Sequence, residues 1–310
     1  MTRIRVATRG SELALTQARQ VARRIELELG AETQLIILKT TGDRLQDVSL
    51  AKLGGKGLFV KEIEEALLDG RADVAVHSAK DLPAAIPPGL EFAAYPERAD
   101  PRDALVGREQ GAALATLARG ARVGTGSVRR AAQLRAYRPD LEIVPLRGNV
   151  PTRLRKLEEQ GLDAVILACA GLERLGLAER IDERIAPEIL LPAVAQGVLA
   201  LEARVGDPVA RDLGALNDAC AASSAAAERG FLIRLGGDCN VPLAALAEQT
   251  QSGGLRLRAL LAAKDGRRIL RHQAEGRPAE AASLGVAAAE AILGEGGDAL
   301  LEELRAEEAG

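Results

Sequence analysis

Apolar residues in this chain fall into short unbroken runs that alternate with stretches at helical spacing, the pattern of strands and helices in turn. Residues 4–8 predict a strand and Arg9-Gly10-Ser11 a turn. Leu13, Ala14, Gln17, Ala18, Val21, Ile25 and Leu29 then predict a helix over 12–29, closed by Gly30. Residues 34–38 form a second, nearly all-apolar strand. This βαβ opening suits a largely parallel sheet covered on both faces. An amphipathic helix is predicted over 58–68, and a short buried strand around Val74 and Val76, between Gly70 and Pro83. Residues 90–95 predict another strand, and the Pro-rich, charged run 96–103 a hinge.

The alternation then starts again. Strands are predicted over 122–124, 141–145 and 164–168, with helices over 128–137 and 151–160 between them. Asn149 before Val150-Pro151 is a sound helix start, because proline is tolerated in a first turn. A strand over 198–202 and helical segments to Leu235 follow. The last section differs in kind: strand-like runs 255–262 and 268–272 flank the turn Lys264-Asp-Gly266, and Ala-rich helices cover 279–293 and 298–305. Strands followed by helices mark a separate α+β domain.

Composition narrows the chemistry. The 310 residues are 47% apolar but only 2% aromatic, with no Trp, so the cores are built of Leu, Val, Ile and Ala. A net charge of −3 gives no general attraction to nucleic acid or to an anionic membrane. No apolar run approaches a bilayer span, and the amino terminus has no apolar signal core, so a cytoplasmic protein is expected. Cys169, Cys220 and Cys239 lack CxxC spacing, and with only His77 and His272 a zinc site is not expected. Cys169 and Cys220 read as small buried residues, whereas Cys239 sits in the glycine turn Leu235-Gly-Gly-Asp-Cys-Asn-Val-Pro242, a setting suited to covalent attachment.

Three stretches carry candidate chemistry. Ala72-Asp-Val-Ala-Val-His-Ser-Ala-Lys-Asp-Leu-Pro83 delivers His77, Ser78, Lys80 and Asp81 at the carboxyl end of a strand, where open α/β sheets bind ligands. Residues 40–56 form a long polar loop ending in Lys52-Leu-Gly-Gly-Lys-Gly57, more often functional than accidental in a compact domain. Residues 122–155 hold eight arginines against Asp140 and Glu142, although the chain as a whole is acidic. Gly124-Thr-Gly-Ser-Val-Arg-Arg130 and Leu146-Arg-Gly-Asn149 are glycine turns into helices, whose first N–H groups favour an anion. Arg129, Arg130, Arg147 and Arg153 are therefore read as anion-binding, and Arg135 and Arg138 as solvated helix-face residues. Nucleic acid is disfavoured because the segment offers no stacking surface beyond Tyr137; a small polycarboxylate fits better.

Taken together, Ala7-Thr-Arg-Gly-Ser11, Gly54-Gly-Lys-Gly-Leu-Phe59, His77-Ser-Ala-Lys-Asp81, Val123-Gly-Thr-Gly-Ser-Val-Arg-Arg130, Leu146-Arg-Gly-Asn149, Leu191-Pro-Ala-Val-Ala-Gln-Gly197 and the Cys239 loop resemble the porphobilinogen deaminase (hydroxymethylbilane synthase) family over essentially the full chain. The resemblance implies two type II periplasmic-binding-protein-like α/β domains with a cleft between them, plus a small C-terminal α+β domain. Their expected extents are 1–98 with 196–216, 99–195, and 217–310.

It also implies a transferase of tetrapyrrole (porphyrin, haem) biosynthesis that condenses four porphobilinogen molecules head to tail, releases ammonia and yields hydroxymethylbilane. The family builds on a dipyrromethane cofactor, whose attachment point here would be Cys239. By motif, Asp81 resembles the catalytic carboxylate. Ser78, Lys80, Thr125, Ser127, Arg129, Arg130 and Arg147 would bind the cofactor. Arg9, Ser11, Arg147, Arg153, Arg174 and Gln196 would meet substrate, and Lys52, Lys56 and Phe59 belong to a covering loop. No metal, nucleic acid or membrane partner is implied, and a monomer is expected. Two residues depart from the family pattern: Asp238 adds a negative charge beside Cys239, and Ala195 replaces a common glycine without expected harm. A non-catalytic binder of an organic polyanion on the same fold is the alternative.

Overall fold

The computed structural model describes residues 3–40, 60–236 and 241–309. It divides into two compact units, Met1–Ala99 with Gly197–Ala222, and Asp100–Gln196 with Ser223–Gly310.

In the first unit, β1 (Arg3–Arg9), α1 (Glu12–Leu29) and β2 (Glu32–Leu38) form the expected opening. Ser11 caps α1 by accepting from the Ala14 N–H at 3.3 Å, and Gly30 ends it in the left-handed conformation at φ 65°. Then come α2 (Lys61–Leu68), β3 (Val74–Ser78) and β4 (Leu90–Ala94), and the chain later returns with β10 (Leu199–Arg204) and α6 (Pro208–Leu213). The sheet order is β2-β1-β3-β10-β4. Only β2, β1 and β3 are parallel; β10 runs antiparallel to both neighbours, so the sheet is mixed rather than largely parallel.

Strand alternation assigns the two faces. Ile4, Val6, Val74, Val76, Leu199 and Leu201 meet Ala18, Val21 and Ile25 of α1. Ala7 and Ala75 meet Ile63, Ala66 and Leu67 of α2. Apolar strands buried on both faces are what this layering requires.

The second unit repeats the design. It contains β5 (Asp103–Gly107), β6 (Arg122–Thr125), α3 (Val128–Tyr137), β7 (Glu142–Pro145), α4 (Val150–Glu159), β8 (Ala164–Ala168), α5 (Cys169–Arg174) and β9 (Glu183–Ile185). Their order is β7-β6-β8-β5-β9, with β5 antiparallel to β8 and β9. The expected hinge thus ends inside a strand: Asp103 opens β5. After α7 (Ala219–Leu235), β11 (Leu243–Gln249), β12 (Leu255–Ala262) and β13 (Ile269–Gly276) make an antiparallel sheet, followed by α8 (Ala281–Ile292) and α9 (Asp298–Ala309). This sheet packs on α3 through Ala132, Leu191, Ala244, Leu246, Leu260 and Ala262.

Candidate functional site

In the first unit, β1 and β3 are parallel neighbours in register Val6↔Val74 and Ala7↔Ala75. Arg9 and Ser11 therefore leave the sheet at the same edge as Ser78, Lys80 and Asp81, and the structure brings these five together at the carboxyl ends of adjacent strands. Directly after β3, Ala79–Asp81 forms a single 3-10 turn. Its anchor is the Ala79 N–H, which donates to the Val198 carbonyl at 3.0 Å. Ala79 is buried while Lys80 and Asp81 are exposed, so a fixed backbone carries two side chains in water. His77 does not join them; it is 6% exposed and turned into the protein.

In the second unit, β6, β7 and β8 are the parallel strands, and their carboxyl ends carry Thr125, Arg147 and the helix that contains Arg174. Ser127 caps α3 by accepting from the Arg130 N–H at 3.4 Å, and Thr125 Oγ1 accepts from the Ser127 N–H at 3.2 Å. Asn149 caps α4 by accepting from the Thr152 N–H at 2.9 Å, as its sequence context predicts. Arg147 is exposed and Arg153 half-buried. Burial lowers the Arg174 guanidinium to about 10. Gly126 is needed for packing: a Cβ there would stand 2.4 Å from the Leu146 carbonyl oxygen.

Arg129 and Arg130 are not open anion receptors. Both are buried and share one carboxylate, Asp103. Arg129 donates to its two oxygens at 2.7 and 3.3 Å and to the Leu191 carbonyl at 2.7 Å. Arg130 donates to Asp103 Oδ1 through Nε at 3.0 Å and Nη2 at 2.6 Å, and to the Ile166 carbonyl at 2.8 Å. Gln196, 1% exposed, adds an Nε2 donor to Asp103 at 3.0 Å and another to the Pro101 carbonyl at 2.7 Å. Burial alone would raise the Asp103 carboxyl, but attraction and hydrogen bonds from the two arginines overcome it and hold the group well below the usual range. Two guanidinium groups against one carboxylate leave one positive charge over in a dry cluster. Sequence reading missed Asp103; its only signal is an acid at the head of the apolar run Ala104-Leu-Val106.

Other expectations change as well. Arg138 is no solvated helix-face residue: it donates to Asp140 at 2.8 and 2.7 Å and to the carbonyls of Leu114, Ala115 and Leu117. Arg135 is exposed on the helix face as expected, and also donates to the Lys264 carbonyl at 2.7 Å, tying α3 to the β12–β13 turn. Cys169 is buried as expected, its thiol pushed up to about 12 chiefly by burial, but Cys220 is exposed. Ala195 is not harmless by conformation, because its φ of 55° is in the region that favours glycine. Cys239, Asp238, Lys52, Lys56 and Phe59 lie outside the described residues. Among the described residues no His/Cys/Asp/Glu group could hold a metal ion.

Asp81 and Lys80 at the carboxyl edge of one sheet, and Thr125 and Arg147 at that of the other, occupy the edge where α/β proteins as a class bind their ligands. Residues 4–212 match the family model "porphobilinogen deaminase, dipyromethane cofactor binding domain", and residues 222–294 match the porphobilinogen deaminase C-terminal domain. The porphobilinogen deaminase of Syntrophomonas wolfei is 49% identical over 98% of this chain and 100% of its own length. That of Roseiflexus sp. strain RS-1 is 51% identical over 96% and 97%. The chain belongs to the porphobilinogen deaminase family. Among solved structures, a periplasmic substrate-binding protein from Coxiella burnetii matches at TM-score 0.40 and 19% identity, covering 73% of this chain and 96% of that one. The lipoprotein Tp32 of Treponema pallidum matches at TM-score 0.42 and 14% identity, covering 69% and 89%.

Proposed function

We propose that this chain is a transferase that condenses four porphobilinogen molecules head to tail, releases ammonia each time and yields hydroxymethylbilane for tetrapyrrole biosynthesis. The observation that carries the reading, beside family membership, is the Asp81 turn: a carboxylate on a fixed backbone at a ligand-binding sheet edge, next to Lys80 and Ser78. Porphobilinogen carries a ring N–H, an acetate, a propionate and an aminomethyl group. Loss of ammonia leaves a cationic azafulvene, and Asp81 stabilises that charge while accepting from the ring N–H. On the first unit Lys80 and Arg9 take acid side chains, with the hydroxyls of Ser11 and Ser78; on the second Arg147, Arg153 and Arg174 do so, with the hydroxyls of Thr125 and Ser127.

The donor set also suits a dipyrromethane cofactor, because Arg129 and Arg130 carry one positive charge more than Asp103 cancels, and their residual exposure of 5% and 4% leaves an edge of the pair for one ligand carboxylate. When bound, the cofactor supplies the pyrrole end on which the chain grows. Gln196 fixes Asp103 and acts through it rather than by touching substrate. Cys239 is the proposed attachment point, with Lys52, Lys56 and Phe59 in the covering loop. The protein acts as a cytoplasmic monomer of three domains. No helix among the described residues is long and apolar enough to cross a membrane. The curated relatives cited above are named for the enzyme, and nothing favours a non-catalytic polyanion binder.

Intact mass of the purified protein tests the reading. A covalent addition of two pyrrole units, lost in Cys239→Ser and kept in Cys169→Ser and Cys220→Ser, is the expected result. An adduct on a peptide containing Cys169 or Cys220 would overturn the attachment site.

A further inference from the structure

Helix α3 buries a polar side chain that the proposed chemistry does not use. Gln133 is 1% exposed and stands one helical turn after Arg129, on the same face. Its amide meets the backbone of Leu191 twice. The Leu191 N–H donates to Oε1 at 2.8 Å, and Nε2 donates to the Leu191 carbonyl at 3.1 Å. A backbone N–H can only donate, so the amide has one workable orientation, with Nε2 facing the carbonyl. The surroundings are apolar, because Ala132 and the Leu191 side chain belong to the core under the β11-β12-β13 sheet. An amide buried there is costly unless both of its ends are paired, and Leu191 pairs both.

The same Leu191 carbonyl receives Arg129 Nη1 at 2.7 Å, and that nitrogen also donates to Asp103 Oδ2 at 2.7 Å. Gln133 and Arg129 thus share one acceptor, and where Leu191 sits sets where the guanidinium sits. At the other end of the segment 191–196, Gln196 Nε2 donates to Asp103 Oδ1 at 3.0 Å. This strap is therefore bonded to the arginine–aspartate cluster at both ends. Its far end is clasped from α7. Glu228, fully buried, accepts the Ala195 N–H through Oε2 at 2.5 Å and the Ala247 N–H of β11 through Oε1 at 2.8 Å. Between the two clasps the strap closes on itself, with the Gln196 N–H donated to the Ala193 carbonyl at 3.0 Å.

We propose that Gln133 is a positioning residue for cofactor capture: its amide holds the strap 191–196 against Arg129, and the strap fixes the edge that the arginine pair offers to a ligand carboxylate. Gln133 does not touch the ligand and acts through Leu191. A guanidinium is planar and its donors point in fixed directions, so a small rotation re-aims every bond it offers. Asp103 gives Arg129 one anchor. The Leu191 carbonyl gives a second, in a different direction, and Gln133 holds that carbonyl in place. Preorganisation of this kind is sensitive to shifts well below the size of a side chain. This inference rests on the reading of Arg129 and Arg130 as receptors of a cofactor carboxylate.

The test uses the full-length holoenzyme. Gln133→Met keeps length and volume and removes both bonds to Leu191. Gln133→Asn keeps the amide but draws it back by one methylene, a milder change that carries the test if the first does not fold. Arg138→Leu, at the end of the same helix, is the destabilised control with its site intact. Intact mass gives the loaded fraction, urea unfolding the stability, and steady-state kinetics the turnover per loaded molecule. Both Gln133 variants should show a larger unloaded fraction. Their turnover per loaded molecule should fall about threefold to tenfold at unchanged KM. Arg138→Leu should lose stability and keep loading and turnover. Gln133→Met combined with Gln196→Leu should lose less turnover than the product of the two single losses, because both act through one strap. Full loading with wild-type turnover in Gln133→Asn or a folded Gln133→Met would overturn the proposal, as would the same decline in Arg138→Leu or a fully multiplicative double variant. Wild-type protein without a pyrrole adduct would instead overturn the cofactor reading, so the two failures are distinct.

Discussion

Asp103 and Arg130 meet side-on, with Nε and Nη2 of the guanidinium both donating to one oxygen of a fully buried carboxylate at 3.0 and 2.6 Å. Arg129 takes the other oxygen. The unequal charge count separates two roles that single substitutions resolve. Asp103→Asn leaves two buried guanidinium groups without a counterion and should cost about 3–5 kcal/mol of stability, measured by urea unfolding. Arg130→Leu leaves a neutral Arg129–Asp103 pair, so it should fold better than Asp103→Asn yet show no cofactor in its intact mass. A fully loaded Arg130→Leu would show that the surplus charge has no part in ligand binding.

Arg138→Leu tests the structure against the plain reading of its sequence. A helix-face arginine in water should be nearly silent, but this one joins Asp140 and three carbonyls. The loss should lower stability measurably, because three carbonyls and Asp140 lose their shared donor. Turnover per folded molecule should stay at the wild-type value. Thermal unfolding and steady-state kinetics on the same preparation separate the two.

Asp81→Asn preserves size and removes the charge from an exposed turn, so circular dichroism should remain that of the wild type. Single-turnover ammonia release should slow by about 10²–10³, the usual worth of one preorganised electrostatic contact. Asp81→Glu keeps the charge one methylene away and should fall between the two. Near-normal release by a folded Asp81→Asn would take the residue out of the mechanism.

Glu64 makes a pH prediction with a definite sign. It lies on α2 at 8% exposure, where burial, reinforced by Glu202, pushes its carboxyl up to about 7, above the ordinary glutamate range, so the native state holds the proton more tightly. The stability this provides is complete below the unfolded value and is lost as pH rises through about 7. Glu64→Gln should therefore be more stable than wild type by about 1–3 kcal/mol at alkaline pH and gain little at acid pH. Urea midpoints at the two extremes decide it; an equal gain at both would assign the effect to packing.

Ala195 is held at φ 55° beside Gln196, with its N–H donated to the buried Glu228 carboxylate. Ala195→Gly should relieve the left-handed strain and stabilise the protein by about 0.5–1 kcal/mol, less whatever the freer unfolded chain gains. A lower melting temperature for Ala195→Gly would mean that the methyl group's packing outweighs the backbone strain.

Much of the local structure was legible in the residue order. The helix over Val128–Tyr137 and the strands Ala164–Ala168 and Leu255–Ala262 coincide with their predicted bounds, because periodicity, caps and glycines are local signals. The Asp81 turn was legible for the same reason: a β-branched run ends and polar residues begin without a spacer. By itself the sequence determined the elements, their alternation, and the types of residue at the strand ends. Only tertiary structure decided direction and partnership. That β10 returns antiparallel between β3 and β4 depends on pairing across more than a hundred residues, which no local pattern encodes. Burial likewise depends on which element packs against which. A run of arginines looks the same in sequence whether it faces water, a ligand or Asp103. The fold turned Arg129 and Arg130 inward onto one acid, put Arg138 across a loop, and turned His77 inward onto Glu202.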